Sequence, residues 1–225
     1  MDGNGRWARR RHLPVSAGHR AGVEAVRRVI EAARDLGIGQ LTLYSFSTEN
    51  WSRPTEEVQA LMRLHAEMIE KEVPTLHKND CRVVFVGRRQ GLDTDLLSKM
   101  TWAEELTANN RRMILFIAFN YGGRQEVLDA VRKAVLEGAD PTALSEEELA
   151  RHLYSPLMRD PDLVIRTSGE KRLSNFLLWQ TAYSEFYFSE KLWPDFGKED
   201  LIGALEDYAS RIRRFGRRIE DRDAR

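Results

Sequence analysis

Two hydrophobic periods alternate along this chain, and that alternation limits its fold more than any other feature. Short apolar runs occur at "QLTLYSF" (40–46), "CRVVFVG" (81–87), "RMILFIAFN" (112–120) and "PDLVIRT" (161–167). Their length and density of Val, Ile, Leu and Phe suit strands buried on both faces. Longer segments with apolar residues at helical spacing separate them. "GVEAVRRVIEAARDLG" puts Val23, Val26, Val29, Ile30 and Ala33 on one helical face, and Gly37 closes it. "RPTEEVQALMRLHAEMIEKEV" carries Thr55 as an N-cap candidate, with early acids that suit the helix dipole. "DTDLLSKMTWAEELTAN", "RQEVLDAVRKAVLEG", the short "SEEELARHL" and "KEDLIGALEDYASRIRRFG" read as further helices. Strands alternating with helices predict an α/β fold, with a mainly parallel central sheet covered by helices on both faces. One domain is expected over residues 1–217, with residues 218–225 a flexible tail.

The 225 residues are 42% hydrophobic and 31% charged, a balance that fits a globular chain with a real core. Lys plus Arg and Asp plus Glu both number 35, for a formal net charge of +0, which disfavours a general nucleic-acid binder. A single cysteine, Cys81, excludes an intramolecular disulfide and a cysteine-based zinc site, and suits a reducing compartment. No apolar run approaches the roughly 20 residues of a membrane span. The polar N-terminus has no signal-peptide character, so a cytoplasmic protein is expected.

Ligands of parallel α/β sheets bind beyond the C-terminal ends of the strands. The unusual polar loops lie there: "SFSTENWSRP", "FNYGGR" and "RTSGEKRLSN" each follow a predicted strand. Their arginines, Arg53, Arg124, Arg166 and Arg172, join Arg6 from the opening "MDGNGRWARRRH". Arginine offers planar, bidentate donors to phosphate, and glycine lets backbone amides approach phosphate oxygens. Asp2 and Glu185 stand in contexts suited to a hard cation, and Mg²⁺ held by one or two carboxylates plus substrate phosphates is a common arrangement. Neither a Walker A motif nor a dinucleotide fingerprint is present. The residues alone therefore predict a phosphate or diphosphate ester with Mg²⁺ and name no reaction.

Several blocks, "MDGNGRWA", "GHRAG", "LTLYSFSTENWSRP", "NYGGR", "DLVIRTSGEKRLSNFLLWQTAYSEFYF" and "LWPDF", closely resemble the cis-prenyltransferases, in particular the bacterial undecaprenyl diphosphate synthases. The blocks are collinear over nearly the whole chain. The resemblance implies a homodimeric α/β sandwich with an apolar tunnel. It also implies a Mg²⁺-dependent condensation of an allylic diphosphate, typically farnesyl diphosphate, with successive isopentenyl diphosphates. Brief contact with the inner membrane face would accompany release of a lipid product, and nucleic acid is not an expected partner. A short- or medium-chain product is the alternative within the family. A non-catalytic partner subunit and an RNA- or nucleotide-binding module stand further off.

By the same resemblance, Asp2 is the essential aspartate that handles Mg²⁺ and diphosphate. Gly3, Asn4, Gly5 and Arg6 form the allylic diphosphate cradle, with Trp7 beside it, and His19 contacts diphosphate. Ser47, Thr48 and Glu49 bind substrate, Asn50 helps remove the proton, and Trp51 and Arg53 position substrate. Arg166, Arg172, Leu173 and Ser174 form the isopentenyl diphosphate site, and Glu185 is a second Mg²⁺-linked carboxylate. Arg214–Gly216 resembles a motif that reaches a dimer partner's site. Leu61, Leu64 and Met68, with Val23, Ser45 and Met113, are read either as channel wall or as plain core. His12, His65, His77 and His152 are read as structural or solvated. Two departures from the family pattern stand out. An apolar strand usually precedes the Met-Asp-Gly-Asn motif, so upstream residues are expected in the natural protein. Val15 occupies a usually basic position, which removes one phosphate donor.

Overall fold

The computed structural model describes residues 1–212. The expected helix at residues 198–216 is α7 (Lys198–Ala209). The Arg214–Gly216 motif and the 218–225 tail lie outside the described residues.

Three parallel strands form the main sheet: β1 (Gln40–Ser47), β2 (Cys81–Val86) and β3 (Met113–Tyr121), in the spatial order β1-β3-β2. Parallel neighbours need crossover connections. Helices α3 (Thr55–Lys78) and α4 (Thr94–Thr107) supply them. Both pack on one face, where Phe46, Val83, Phe85 and Phe119 meet Leu61, Ile69, Leu96 and Met100. Helix α2 (Val15–Asp35) adjoins them over Leu43, Met113 and Leu115. The alternate strand residues Val86, Phe116 and Ala118 face the other way, onto Leu177, Phe176, Tyr154 and Met158. Strands buried on both faces explain why these runs show no polar alternation. Each fully buried Leu or Phe here contributes about 1.5–3 kcal/mol over an exposed one.

A second, two-stranded parallel sheet pairs β4 (Leu163–Arg166) with β5 (Glu185–Phe188). The parallel pairing is thus split between two sheets, and one large cavity is lined by residues of both β1 and β4. Strand β5 was not expected, because "FLLWQTAYSEFYF" reads as a continuous apolar run and its first part folds into turns.

Helix α2 begins seven residues before the predicted Gly22, because "SAGHRAG" is helical. Its glycines serve close packing against α1 (Asn4–Arg10): a Cβ at Gly18 would collide with the Asn4 carbonyl, and one at Gly22 with the Asn4 side chain. Helices α5 (Gly123–Leu136) and α6 (Glu146–His152) pack together through Ala130, Leu149 and Leu153.

Candidate active site

The three polar loops converge beyond the C-terminal ends of β1, β3 and β4, and Asn175 joins them. Its Nδ2 donates to Glu49 Oε1 (2.8 Å), its Oδ1 accepts from the Arg124 amide (2.9 Å), and its carbonyl accepts from Gly123 N (2.7 Å). Asn175 adopts φ 63°, and Ser168, Ser174 and Leu177 nearby also have positive φ. Each non-glycine residue in this region costs about 1–2 kcal/mol. Such strain concentrates where surrounding contacts hold a functional loop in place.

The opening turn docks on the end of β4. Asp2 N donates to Thr167 Oγ1 (2.9 Å), while the Asp2 carbonyl accepts from Thr167 Oγ1 (2.9 Å), Ser168 Oγ (2.6 Å) and Trp193 N (2.9 Å). Gly3 has φ 108°, and a Cβ there would strike Ser168 Oγ, so this position requires glycine. Gly5 differs: a Cβ there meets open space. Trp7 points away from the cavity and clamps α1, its Nε1 donating to Asp195 Oδ1 (2.7 Å) beneath the Arg11 guanidinium.

The Asp2 carboxylate sits between two arginines, with Arg166 Nη2 at 3.1 Å and Arg6 Nη2 at 3.4 Å. Partial burial alone would raise its pKa, but the Arg166 hydrogen bond and the fields of both arginines outweigh it and hold the carboxyl below the ordinary aspartate value. Arg166 also donates to Ser174 Oγ (2.8 Å) and the Arg172 carbonyl. Glu170 pairs with Arg6 (2.9 Å) and with Arg172. Arg53 donates to Glu57 Oε1 (3.1 Å). His19 Nε2 lies 3.8 Å from the same oxygen, too far for a hydrogen bond, and is a buried nitrogen without a hydrogen-bond partner. Burial and then Arg53 lower the His19 pKa, against the pull of Glu57. Asn4 Oδ1 is likewise buried without a partner.

The cavity beneath this mouth has a volume of about 1210 Å³. Of the predicted site residues, Asp2, Asn4, His19, Ser47, Glu49, Asn50, Arg53, Arg166, Arg172, Leu173 and Ser174 line it. Farther in, the wall becomes apolar through Val23, Leu61, Leu64 and Met68, with Ser45 and His65 beside them. Met113 lines a smaller inner cavity instead. Trp51, which is exposed, and Thr48 are not part of its lining. Trp51 Nε1 donates to Asn120 Oδ1 (2.8 Å), and Thr48 Oγ1 donates to Glu49 Oε2 (3.2 Å). Asn50 spends its Oδ1 on the Ser47 amide (3.1 Å), which fixes the turn and leaves its NH₂ as the group available to a ligand. Val15, at the usually basic position, is exposed at the start of α2.

Glu185, the second expected cation carboxylate, is also not brought to this mouth. It pairs in register with Leu163, whereas Arg166 pairs with Phe188, so the two lie at opposite ends of a ladder, about 10 Å apart at a strand's rise per residue. Its carboxylate binds Arg211 (2.8 Å). Among the described residues there is no cluster of three or more His, Cys, Asp or Glu able to hold a metal. Asp2 fits a different donor set: one ionised, half-exposed carboxylate at the mouth, with a phosphate ligand supplying the remaining oxygens.

Sequence reading assigned no role to Glu170, Asn175 or Glu57, and read His65 as structural or solvated. The first two lie inside the quoted "RTSGEKRLSN" block, but their partners are remote in sequence and no local signal names them.

A sequence profile for a family described as putative undecaprenyl diphosphate synthase matches residues 1–216. The chain is 53% identical to an isoprenyl transferase of Thermotoga maritima over 219 residues, covering 96% of this chain and 94% of that protein. It is 51% identical to isoprenyl transferase 2 of Bradyrhizobium diazoefficiens over 220 residues, covering 96% and 87%. The crystal structure of lavandulyl diphosphate synthase from Lavandula x intermedia, in complex with dimethylallyl diphosphate, superposes with a TM-score of 0.92 at 38% identity, covering 96% of this chain and 95% of that one. A probable undecaprenyl diphosphate synthase from Campylobacter jejuni superposes with a TM-score of 0.81 at 33% identity, covering 88% and 93%.

Proposed function

The chain belongs to the undecaprenyl diphosphate synthase family of prenyltransferases, and from that membership we propose that it condenses an allylic diphosphate with successive isopentenyl diphosphates into a long cis-polyprenyl diphosphate, such as undecaprenyl diphosphate for cell-wall synthesis. The observation that carries this reading is one cavity of about 1210 Å³ lined by Arg53, Arg166 and Arg172 at its mouth and by an apolar stretch at Val23, Leu61, Leu64 and Met68, with the charged residues Arg111, Arg112, Arg159, Asp160 and Asp162 elsewhere in its wall. A molecule with a diphosphate head and a hydrocarbon tail matches the first two.

The allylic diphosphate is held by the Gly3–Arg6 turn and His19, whose unpartnered Nε2 suits a phosphate oxygen. Isopentenyl diphosphate is held by Arg166, Arg172 and Ser174. At rest these arginines are neutralised by Asp2 and Glu170, so substrate exchanges one set of oxygens for another. When the allylic C–O bond breaks, negative charge grows on the leaving oxygens. Donors fixed beforehand stabilise that charge without reorganising, and removing one costs about 3–4 kcal/mol. Holding two diphosphates side by side orders the reacting carbons, which is worth roughly 7–11 kcal/mol. Asp2 would hold Mg²⁺, which when bound supplies Lewis-acid neutralisation of diphosphate charge. Asn50 faces the reacting carbons with its NH₂ and orients phosphate or water. Proton removal then falls to water, Ser47 or the released diphosphate.

A homodimer is proposed on the resemblance, with Glu185 able to serve a site only through such an assembly or a rearrangement. Among the described residues no helix is long and apolar enough to cross a membrane. A cytoplasmic protein that touches the inner membrane face while discharging product fits that finding. The test is incubation with Mg²⁺, radiolabelled isopentenyl diphosphate and either farnesyl or dimethylallyl diphosphate, followed by chromatography of the extract. Labelled polyprenyl product is expected from farnesyl diphosphate. No extractable label from either starter would overturn the reading, and label only from dimethylallyl diphosphate would favour the short-chain alternative.

A further inference from the structure

Between Asp2 and Glu24 the chain has no acidic residue, in a protein whose formal net charge is +0. That stretch holds Arg6, Arg9, Arg10, Arg11 and Arg20. Arg6 turns inward to Asp2 and Glu170. The other four are exposed, and the proposed reaction uses none of them. They gather around the corner where α1 meets α2. Helix α1 ends at Arg10, a turn at Arg11 and His12 follows, and α2 starts at Val15. Every residue from Arg9 to Ser16 is exposed. Arg11 is partly neutralised, since it stacks over the Trp7 ring and pairs with Asp195 at 3.3 Å. Arg9 reaches the Gly5 carbonyl (3.4 Å), and among the described residues Arg9, Arg10 and Arg20 meet no carboxylate.

Two apolar side chains stand on the same corner, Leu13 at 42% and Val15 at 41% exposure, on either side of Pro14. A single exposed apolar residue needs no explanation. Two of them on one tip, flanked by unpaired cations, make a surface of mixed chemistry. The tip is also stiff. Arg11 N and Leu13 N both donate to the Ala8 carbonyl (3.0 Å each), and the close approach of α1 to α2 at Gly18 and Gly22 holds the two helices together. We propose that this corner docks on the surface of an anionic lipid bilayer, with Leu13 and Val15 entering the interface and the arginines facing lipid phosphates. Basic residues attract such a surface, and apolar side chains beside them add burial in the headgroup region. RNA would use the charge and leave Leu13 and Val15 idle. The same two helices line the cavity through Asn4, His19, Gly22 and Val23. Asn4 and Arg10 are the two ends of α1, about 9 Å apart at a helix's rise per residue. A docked corner therefore holds the cavity mouth one short helix from lipid. The docking stands on charge and exposure alone, whereas its use in discharging a lipid product rests on the proposed function.

The test is flotation of the full chain with vesicles of phosphatidylcholine alone, or of phosphatidylcholine mixed equally with phosphatidylglycerol. Binding to the anionic vesicles is expected, with little to the neutral ones and a steep fall as salt rises. Arg10→Gln and Arg20→Gln should each weaken anionic-vesicle binding about fivefold. Leu13→Ser should weaken it severalfold, and should do so at high salt as well, where the arginine contribution has faded. All three side chains are exposed, so these variants should melt with the wild type and match its turnover in vesicle-free buffer. No binding to anionic vesicles, equal binding to both compositions, or variants that bind like the wild type would each overturn the proposal. Duplex RNA that displaces the vesicles and binds Leu13→Ser as tightly as wild type would overturn it too, and would assign the corner to nucleic acid. Vesicle binding without polyprenyl product would sink the proposed reaction and leave the docking intact. Product without vesicle binding would do the reverse.

Discussion

Arg166 and His65 both bring polar nitrogens to the same cavity, but their partners differ in kind. Arg166 donates to Asp2, Ser174 and a loop carbonyl, beside the Arg6–Glu170–Arg172 chain of ion pairs. Most of these partners are half-exposed and can be exchanged for phosphate oxygens. His65 is bound on one side by its own helix and on the other by Ser45, and nothing in that set suits a charged ligand. The mouth holds its charges in reserve, whereas the inner wall spends its polarity internally.

That contrast can be broken in three places. The largest effect is expected at the mouth. Asp2→Ala should lower kcat by about two to three orders of magnitude, the loss seen when one preplaced charge stabiliser is removed. Its unfolding temperature should fall only slightly, because half-exposed ion pairs are lost while the backbone contacts to Thr167, Ser168 and Trp193 remain. Steady-state assays beside thermal melts check both halves, and retained turnover would remove Asp2 from the chemistry.

The second effect belongs to the inner wall. The His65 pKa falls from 6.5 to about 4 on folding. The unfolded chain therefore binds a proton that the folded chain refuses between those values. Stability from a neutral His65 is complete above about pH 6.5 and is lost as pH falls toward 4, at about 1.4 kcal/mol per pH unit and up to about 3 kcal/mol in all. Denaturant unfolding of wild type and His65→Gln across this range should show the wild type losing more stability. Parallel curves would mean that His65 is already charged or solvated.

The smallest effect concerns Glu185. Its ion pair with Arg211 is partly exposed, and such pairs contribute about 0–1 kcal/mol. Glu185→Ala should then leave the unfolding temperature nearly unchanged and raise the KM for isopentenyl diphosphate only slightly. A tenfold or greater rise, about 1.4 kcal/mol, would bring Glu185 to a mouth through a second copy of the chain or a rearrangement.

Much of this architecture was legible because it rests on local patterns. The apolar runs marked β1 to β4, and the loops that follow β1, β3 and β4 carried the glycines and arginines of the mouth. The start of α2 was hidden because Gly18 and Gly22 look like helix breakers, while their purpose is to let α1 approach. Glu170 and Asn175 were in view as letters, but their partners come from other loops. Asn175 meets Glu49 across more than half the chain, and no spacing rule encodes such a contact. Ser45 read as merely small. Its bond to His65 depends on a bulge, a register shift that exists only once β1 and β3 pair.

The Ser45 bulge has a counterpart. One pair farther along, Asn120 is the extra residue on β3, with φ 49°, and the strands return to step at Ser47 and Tyr121. The side chain of Asn120 then accepts from Trp51 and donates to the Arg88 and Gln90 carbonyls. The two irregularities cancel, so they are heritable only together. A chimera that grafted a regular β1 onto this β3 would leave the strand tips one position out of phase. The loop after β1 would then present its side chains to the wrong side. The cavity wall at Ser45 and the loop after β1 are thus geared to each other through two compensating slips, and redesign of either must move both.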